Sequence, residues 1–199
     1  VQAVRRIGLL GGSFNPAHAG HLHLSLWALR LLRLDAVWWL VSPQNPLKPT
    51  QGMAPLAERL EGARRLIRHP RIRALALEAD LGTRHTADTL AALRARFPRD
   101  RFVWLIGADN LIQMPRWRRW SFIFHAVPVA VFARPTYSLR ALSGTAARRF
   151  ARFRVRGPRA RGLADRIPPA WAFFPMPLHF ESSTRIRSVR QSQGERNRR

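Results

Sequence analysis

Cysteine is absent from the 199 residues, and lysine occurs once, at Lys48. The first absence excludes disulfides, thiolate nucleophiles and Cys-ligated zinc, and it fits a reducing compartment, with the cytoplasm as the expected one. Acids are scarce: 11 Asp and Glu stand against 35 basic residues, a formal charge of +24. Long hydrophobic runs are missing too, since charge-free stretches such as Ala36 to Pro46 and Ser121 to Ala133 fall short of the roughly 20 residues that span a bilayer. No membrane segment is expected. The opening VQAVRRIGLL has no small-residue cleavage site and reads as a first strand rather than an export signal.

What is present is ordinary for a folded chain, with 46% hydrophobic and 23% charged residues. The length suits one α/β domain with a sizeable core. That domain is expected over residues 1–190, with 191–199 as a disordered basic tail. All basic residues but Lys48 are arginine, a skew that resembles a genome-wide codon bias more than a local binding surface. The arginines are therefore expected to be solvated, without a specific nucleic-acid partner, although such a surface attracts polyanions without sequence preference. No internal repeat is visible, and oligomeric state is left open.

Apolar patterning alternates along the chain. Strands are expected at Arg6 to Leu10, Ala36 to Ser42, Ile72 to Leu77, Phe102 to Gly107, Pro128 to Ala133 and Ala170 to Phe174; helices at His18 to Leu34, Leu56 to Ile67 and Thr86 to Phe97. A basic helix from Leu139 to Phe153 and a surface loop, RGPRARGLADRIPP, are expected in the arginine-rich segment 134–166. Strands apolar on both faces that alternate with helices imply an α/β fold with a doubly wound parallel sheet. Ligands bind such sheets beyond the carboxyl ends of the strands, so chemistry is to be sought in the loops that follow strands.

The first such loop is GGSFNPAHAGH, residues 11–21. Gly11 and Gly12 let the backbone approach a ligand, and the helix start that follows supplies N–H groups and a positive dipole end, which together make an anion site. His18 and His21, three apart, lie on one helix face and can donate to a phosphate as its charge grows. Two helix-surface histidines are the plain alternative. Zinc is a poorer one, because His18, His21 and His23 cannot face one point and no HExxH occurs. GxGxxG and GxxxxGK[ST] are also missing, which disfavours a nicotinamide dehydrogenase and excludes a P-loop enzyme. In IGADN, Asp109 follows a buried strand ending at Gly107, where it can accept from ribose hydroxyls or cap the next helix. In ESSTRIR, Ser182 or Ser183 can cap another helix start, where Ser183, Thr184 and Arg187 can converge on the β- and γ-phosphates of ATP, or the segment can be a plain cap before a surface arginine. Thr86 opens a helix with Asp88 in its first turn, for which capping is the simple reason. The single retained lysine, Lys48, suggests a place that needs a compact ammonium, as a phosphate contact does.

GGSFNPAHAGHLH resembles the HxGH signature of the α/β nucleotidyltransferases. Four further segments, SPQNPLK (42–48), RHTADTL (84–90), IGADNLIQMPRWRRW (106–120) and ESSTRIR (181–187), are similar to those of the bacterial nicotinate-nucleotide adenylyltransferases, in order and spacing. The resemblance implies a Rossmann-like nucleotidyltransferase fold. It also implies transfer of the adenylyl group of ATP to nicotinate mononucleotide, giving nicotinate adenine dinucleotide and pyrophosphate, with Mg²⁺ accompanying ATP. His18 and His21 would be catalytic. Gly11, Gly12, Ser13, Phe14, Gly107, Asp109, Ser183, Thr184 and Arg187 would join them around ATP, and Lys48, Thr86, Asp109 and Trp117 would hold the acceptor, with Trp117 stacked on the pyridine ring. No protein metal ligand is implied. Asn15 stands where that family often has Asp, and His85 where it often has Tyr. A phosphopantetheine adenylyltransferase or a cytidylyltransferase shares the HxGH site, and a basic nucleic-acid-binding protein on the same fold is the reading from another class.

Overall fold

The structure, a computed structural model, describes residues 3–43 and 52–177. Lys48, Ser183, Thr184, Arg187 and the expected domain end at residue 190 lie outside the described residues. Strands β1 (Arg6–Gly12), β2 (Ala36–Val41), β3 (Ile72–Leu75), β4 (Arg101–Gly107), β5 (Val129–Phe132) and β6 (Trp171–Phe174) form one sheet in the order β3-β2-β1-β4-β5-β6. Every pairing is parallel. The expected doubly wound sheet is what forms.

Parallel neighbours need crossover connections, and these supply the covering layers. Helices α1 (Ala19–Leu31) and α2 (Leu56–Leu66) cover one face, and α4 (Thr86–Arg96), α5 (Ala108–Gln113), α6 (Trp120–Ala126), α7 (Ser138–Ser143) and α8 (Thr145–Arg149) the other, with the one-turn α3 (Leu77–Asp80) after β3. Side chains alternate along each strand, so Ile7, Leu9, Trp38, Leu40, Trp104 and Ile106 enter one core while Leu10, Val37, Trp39, Val41, Val103 and Leu105 enter the other. Both faces are buried, which is why the strands read as continuous apolar runs. Trp39, Trp104 and Trp171 are among the largest side chains fully enclosed.

Three expectations change. The third strand ends at Leu75, because Leu77–Asp80 winds into a helical turn. The basic helix is broken: Gly144 takes an extended backbone (φ −72°, ψ 168°) between α7 and α8, and Ala151–Phe153 continues only as a 3-10 turn. Glycine lacks the helix propensity to bridge that point. The supposed surface loop is wound instead, with 3-10 turns over Gly157–Asp165 that bury Ala160, Leu163 and Ala164 against the sheet. Its arginines point the polar side outward while its small apolar residues do the packing. No helix among the described residues is long and apolar enough to cross a membrane.

The chain lays down β1, β2 and β3 outward, then returns across β1 to place β4 on its other side. The crevice between the carboxyl ends of β1 and β4 is thus the topological switch point, where open α/β sheets bind ligands. Two residues beyond the Leu10–Leu105 pairing both strands end, at Gly12 and Gly107.

Candidate active site

The turn after β1 carries the histidines, though not as two residues of one helix. His18 is the N-cap of α1, with extended backbone, and its Nδ1 accepts from Gly20 N–H at 3.2 Å. His21, at the third helical position, reciprocates: its Nδ1 accepts from His18 N–H at 3.2 Å. This is a capping box built from two imidazoles. The rings lie 3.9 Å apart, so the pair converges as expected, by a cap rather than by a shared helical stripe. Because each Nδ1 is an acceptor, the neutral rings carry their proton on Nε2, and both present an N–H donor at that end. His18 is buried.

A polar and aromatic support holds this pair. Trp39 Nε1–H donates to Ser25 Oγ (2.7 Å), whose hydroxyl donates to the His21 carbonyl (2.8 Å). Phe14, with φ +47°, drops its ring onto Trp39, stacked at 5.1 Å, and against His21 at 4.7 Å. Phe14 is 2% exposed, so its ring is packing for the turn, and only its backbone can face a ligand. Gly11 also has an inward reason: a Cβ there would lie 2.5 Å from the Trp104 ring on the neighbouring strand. Ser13 is nearly buried, and its carbonyl accepts from Arg59 (2.6 Å).

The Asn15 departure has a local explanation. Its Nδ2 donates to the Gly52 carbonyl (3.0 Å) and its Oδ1 accepts from Ala54 N–H (3.2 Å). A carboxylate could make the second bond and not the first.

At the end of β4, Gly107 rather than Asp109 is the N-cap of α5, with no side-chain cap bond. Asp109 faces Arg134, from the end of β5, with Oδ1 and Nε 3.7 Å apart. Both atoms are buried without a hydrogen bond. A side chain at position 107 would collide with both partners, which explains the glycine. Thr86 is the first residue of α4, while His85 is the cap position and makes no side-chain cap bond; the simple capping reading of Thr86 is therefore not what forms. His85 contributes its carbonyl, which accepts from Asp88 and Thr89 N–H (both 3.0 Å). Trp117 is half-buried against the α4–α8 core, following a 3-10 turn over Met114–Arg116. Arg119 Nη1 donates to Asp88 Oδ1 (3.2 Å), tying the first turn of α4 to the segment just after Trp117. The segments carrying Thr86 and Trp117, expected from the sequence to hold the acceptor, are thereby tied to one another.

Buried charge marks the same end of the sheet. Arg59 is 4% exposed, and burial lowers its pKa from the ordinary guanidinium value. Glu78 is buried with Oε2 unpaired; burial raises its pKa, and a hydrogen bond with Ser42 pulls the other way. Among the described residues no three metal-binding side chains gather. Sequence reasoning missed Ser25, Trp39, Arg59, Glu78 and Arg134 as supports of the site.

A parallel sheet with a glycine turn and a histidine-capped helix after one strand, and a carboxylate after the neighbouring strand at its switch point, has the arrangement of an α/β nucleotidyltransferase. A family model described as cytidylyltransferase-like matches residues 9–189. A relative from Cereibacter sphaeroides, named a probable nicotinate-nucleotide adenylyltransferase, is 59% identical over 92% of this chain and 97% of its own. One of the same name from Caulobacter is 50% identical over 95% of this chain and the whole of its own. Among solved structures, the nicotinic acid mononucleotide adenylyltransferase of Plasmodium falciparum complexed with NaAD aligns with a TM-score of 0.70 at 16% identity, covering 92% of this chain and 83% of that one, and shows the shared fold. The chain belongs to the cytidylyltransferase-like family and, within it, to the nicotinate-nucleotide adenylyltransferases.

Proposed function

We propose that this protein transfers the adenylyl group of ATP to nicotinate mononucleotide in the cytoplasm, as a step of NAD biosynthesis. The observation that carries the reading is the pair of Nδ1-anchored imidazoles capping α1 at the switch point between β1 and β4. An acceptor phosphate oxygen attacks the α-phosphorus of ATP in line; the new P–O bond forms as the bond to the β-phosphate breaks, and pyrophosphate leaves. No enzyme nucleophile is needed, so catalysis is positioning plus stabilisation of charge on phosphate oxygens. Nε2–H of His18 and His21, at the positive end of the α1 dipole, meet that charge. ATP would bring a divalent ion, Mg²⁺, which would offset phosphate charge during transfer.

In the same proposal Gly11, Gly12, Ser13 and Phe14 shape the phosphate turn through their backbone, and Ser183, Thr184 and Arg187 hold the departing pyrophosphate. Gly107 and Asp109 meet the ribose, Lys48 the acceptor phosphate, and Thr86 and Trp117 the nicotinate. The Asp88–Arg119 pair supports that last grouping, because it joins the two segments concerned.

Pyrophosphate release from ATP, measured with a panel of acceptors, tests the reading. Nicotinate mononucleotide should exceed nicotinamide mononucleotide by more than roughly tenfold in kcat/KM, since N–H donors aimed at a carboxylate gain charge-assisted bonds that an amide forgoes. Turnover with phosphopantetheine instead would reassign the acceptor, and turnover with neither would remove the reading.

A further inference from the structure

The strongest unused feature among the described residues is a cation with no acid paired to it there. Arg59 lies on α2, 4% exposed, and among the described residues it makes no ion pair. Its guanidinium is spent on backbone oxygen. Nε donates to Ala54 (2.8 Å), Nη1 to Ser13 (2.6 Å) and Ser42 (2.8 Å), and Nη2 to Pro43 (2.9 Å). Those carbonyls come from three places: the histidine-bearing turn after β1, the exit of β2, and the lead into α2. Asn15 adds two bonds between the same turn and Gly52 and Ala54. Both flanks of the segment that leaves β2 are thus fastened to the turn that presents His18.

A buried cation without a carboxylate is costly, and plain packing would be served as well by an apolar side chain. Only a guanidinium offers a planar fork of donors able to hold several carbonyls at fixed angles, and a lysine ammonium cannot copy it. It also leaves a positive charge beneath a turn that is to receive phosphate, where a compensating acid would repel it.

We propose that Arg59, assisted by Asn15, is a positioning residue for adenylyl transfer, fixing the histidine turn against the exit of β2 so that the imidazole donors align with the reacting phosphates. This rests on the reading that His18 and His21 act on those phosphates. Misalignment by a fraction of an ångström costs turnover far more than it costs ground-state binding.

The test compares the wild-type chain with Arg59→Lys and Asn15→Ser, measuring kcat for pyrophosphate release, ATP affinity by equilibrium binding, and thermal stability. Arg59→Lys keeps the charge and loses the fork; its kcat should fall roughly tenfold or more, with ATP affinity changed less than about threefold. Asn15→Ser should lower kcat by a smaller factor in the same pattern. A fall in melting temperature with unchanged kcat per folded molecule in Arg59→Lys would mean a purely structural role and overturn the inference. If Arg59→Lys does not fold, Asn15→Ser decides, and unchanged kcat there overturns it. Absence of turnover by the wild-type chain sinks the functional reading, and the inference with it; wild-type turnover with unaffected variants sinks the inference alone.

Discussion

The two ends of the sheet use the same residue types in opposite ways. Where the strands begin, arginine meets acid: Asp165 accepts from Arg6 and Arg101, Asp100 from Arg5, and Asp35 from the backbone N–H of Arg6. Most of these side chains are a third or more exposed. Where the strands end, Arg59 is buried among carbonyls, Arg134 faces Asp109 without a hydrogen bond, and Glu78 keeps one oxygen unpaired. A chain with only 11 acids places several of them where they pin β1 and β4 together at one end. The other end keeps buried polar atoms of Glu78, Asp109 and Arg134 without hydrogen bonds, the state expected of a site shaped for a ligand rather than for the free protein alone.

The support beneath the histidines should respond most. Ser25→Ala removes both the acceptor of the Trp39 indole N–H and the donor to the His21 carbonyl, leaving a buried N–H unpaired. A loss of about 1–3 kcal/mol is expected in denaturant titrations, together with lower kcat, because the first turn of α1 loosens. An unchanged stability would show that the Trp39–Ser25–His21 chain is incidental.

At the amino end the effects should be smaller and blind to catalysis. Asp165→Asn breaks exposed pairs, each worth no more than about 1 kcal/mol, and should leave kcat unaltered. Its pH behaviour carries a sign. The hydrogen bond from Arg6, then that from Arg101, holds the Asp165 carboxyl below its usual range. A depressed folded pKa contributes stability that is fully present above the unfolded value and is lost as pH falls through the folded one. Wild-type and Asp165→Asn stabilities should therefore differ at neutral pH and converge on acidification below about 3.9. A gap that widens in acid would contradict the assignment.

Much of this contrast was legible from the chain and part was not. Strands apolar on both faces announced the parallel sheet, and the GGSFNPAH turn and Gly107–Asp109 stood where the fold puts ligands. His18 and His21 were found through their spacing, but a spacing of three suits a capping box as well as a helical stripe, and only the backbone of His18 separates them. Arg59 was hidden by numbers, one arginine among many. The available signal was its place in α2, on the stripe with Leu56, Leu60 and Ala63, where a charge is out of keeping with solvation. Arg134 and Glu78 gave no such signal, because their meaning comes from neighbours distant in sequence. The segment 156–169 misled in the other direction: its prolines and glycines suggested a surface loop, while the alanines and leucine between the charges anchored it to the sheet.

The carboxyl end matters to the reading because the histidines are taken to work on phosphate, not merely to cap a helix, and an alanine would remove both roles at once. His18→Asn separates them. Asparagine is among the best N-caps, so its Oδ1 can accept from Gly20 N–H as His18 Nδ1 does, while the Nε2–H donor is lost. Measured as kcat for ATP-dependent pyrophosphate release in the folded variant, the expected result is a fall of roughly 10² or more with thermal stability close to that of the wild type. Retained kcat in His18→Asn would show that His18 serves as a cap and would contradict its catalytic role.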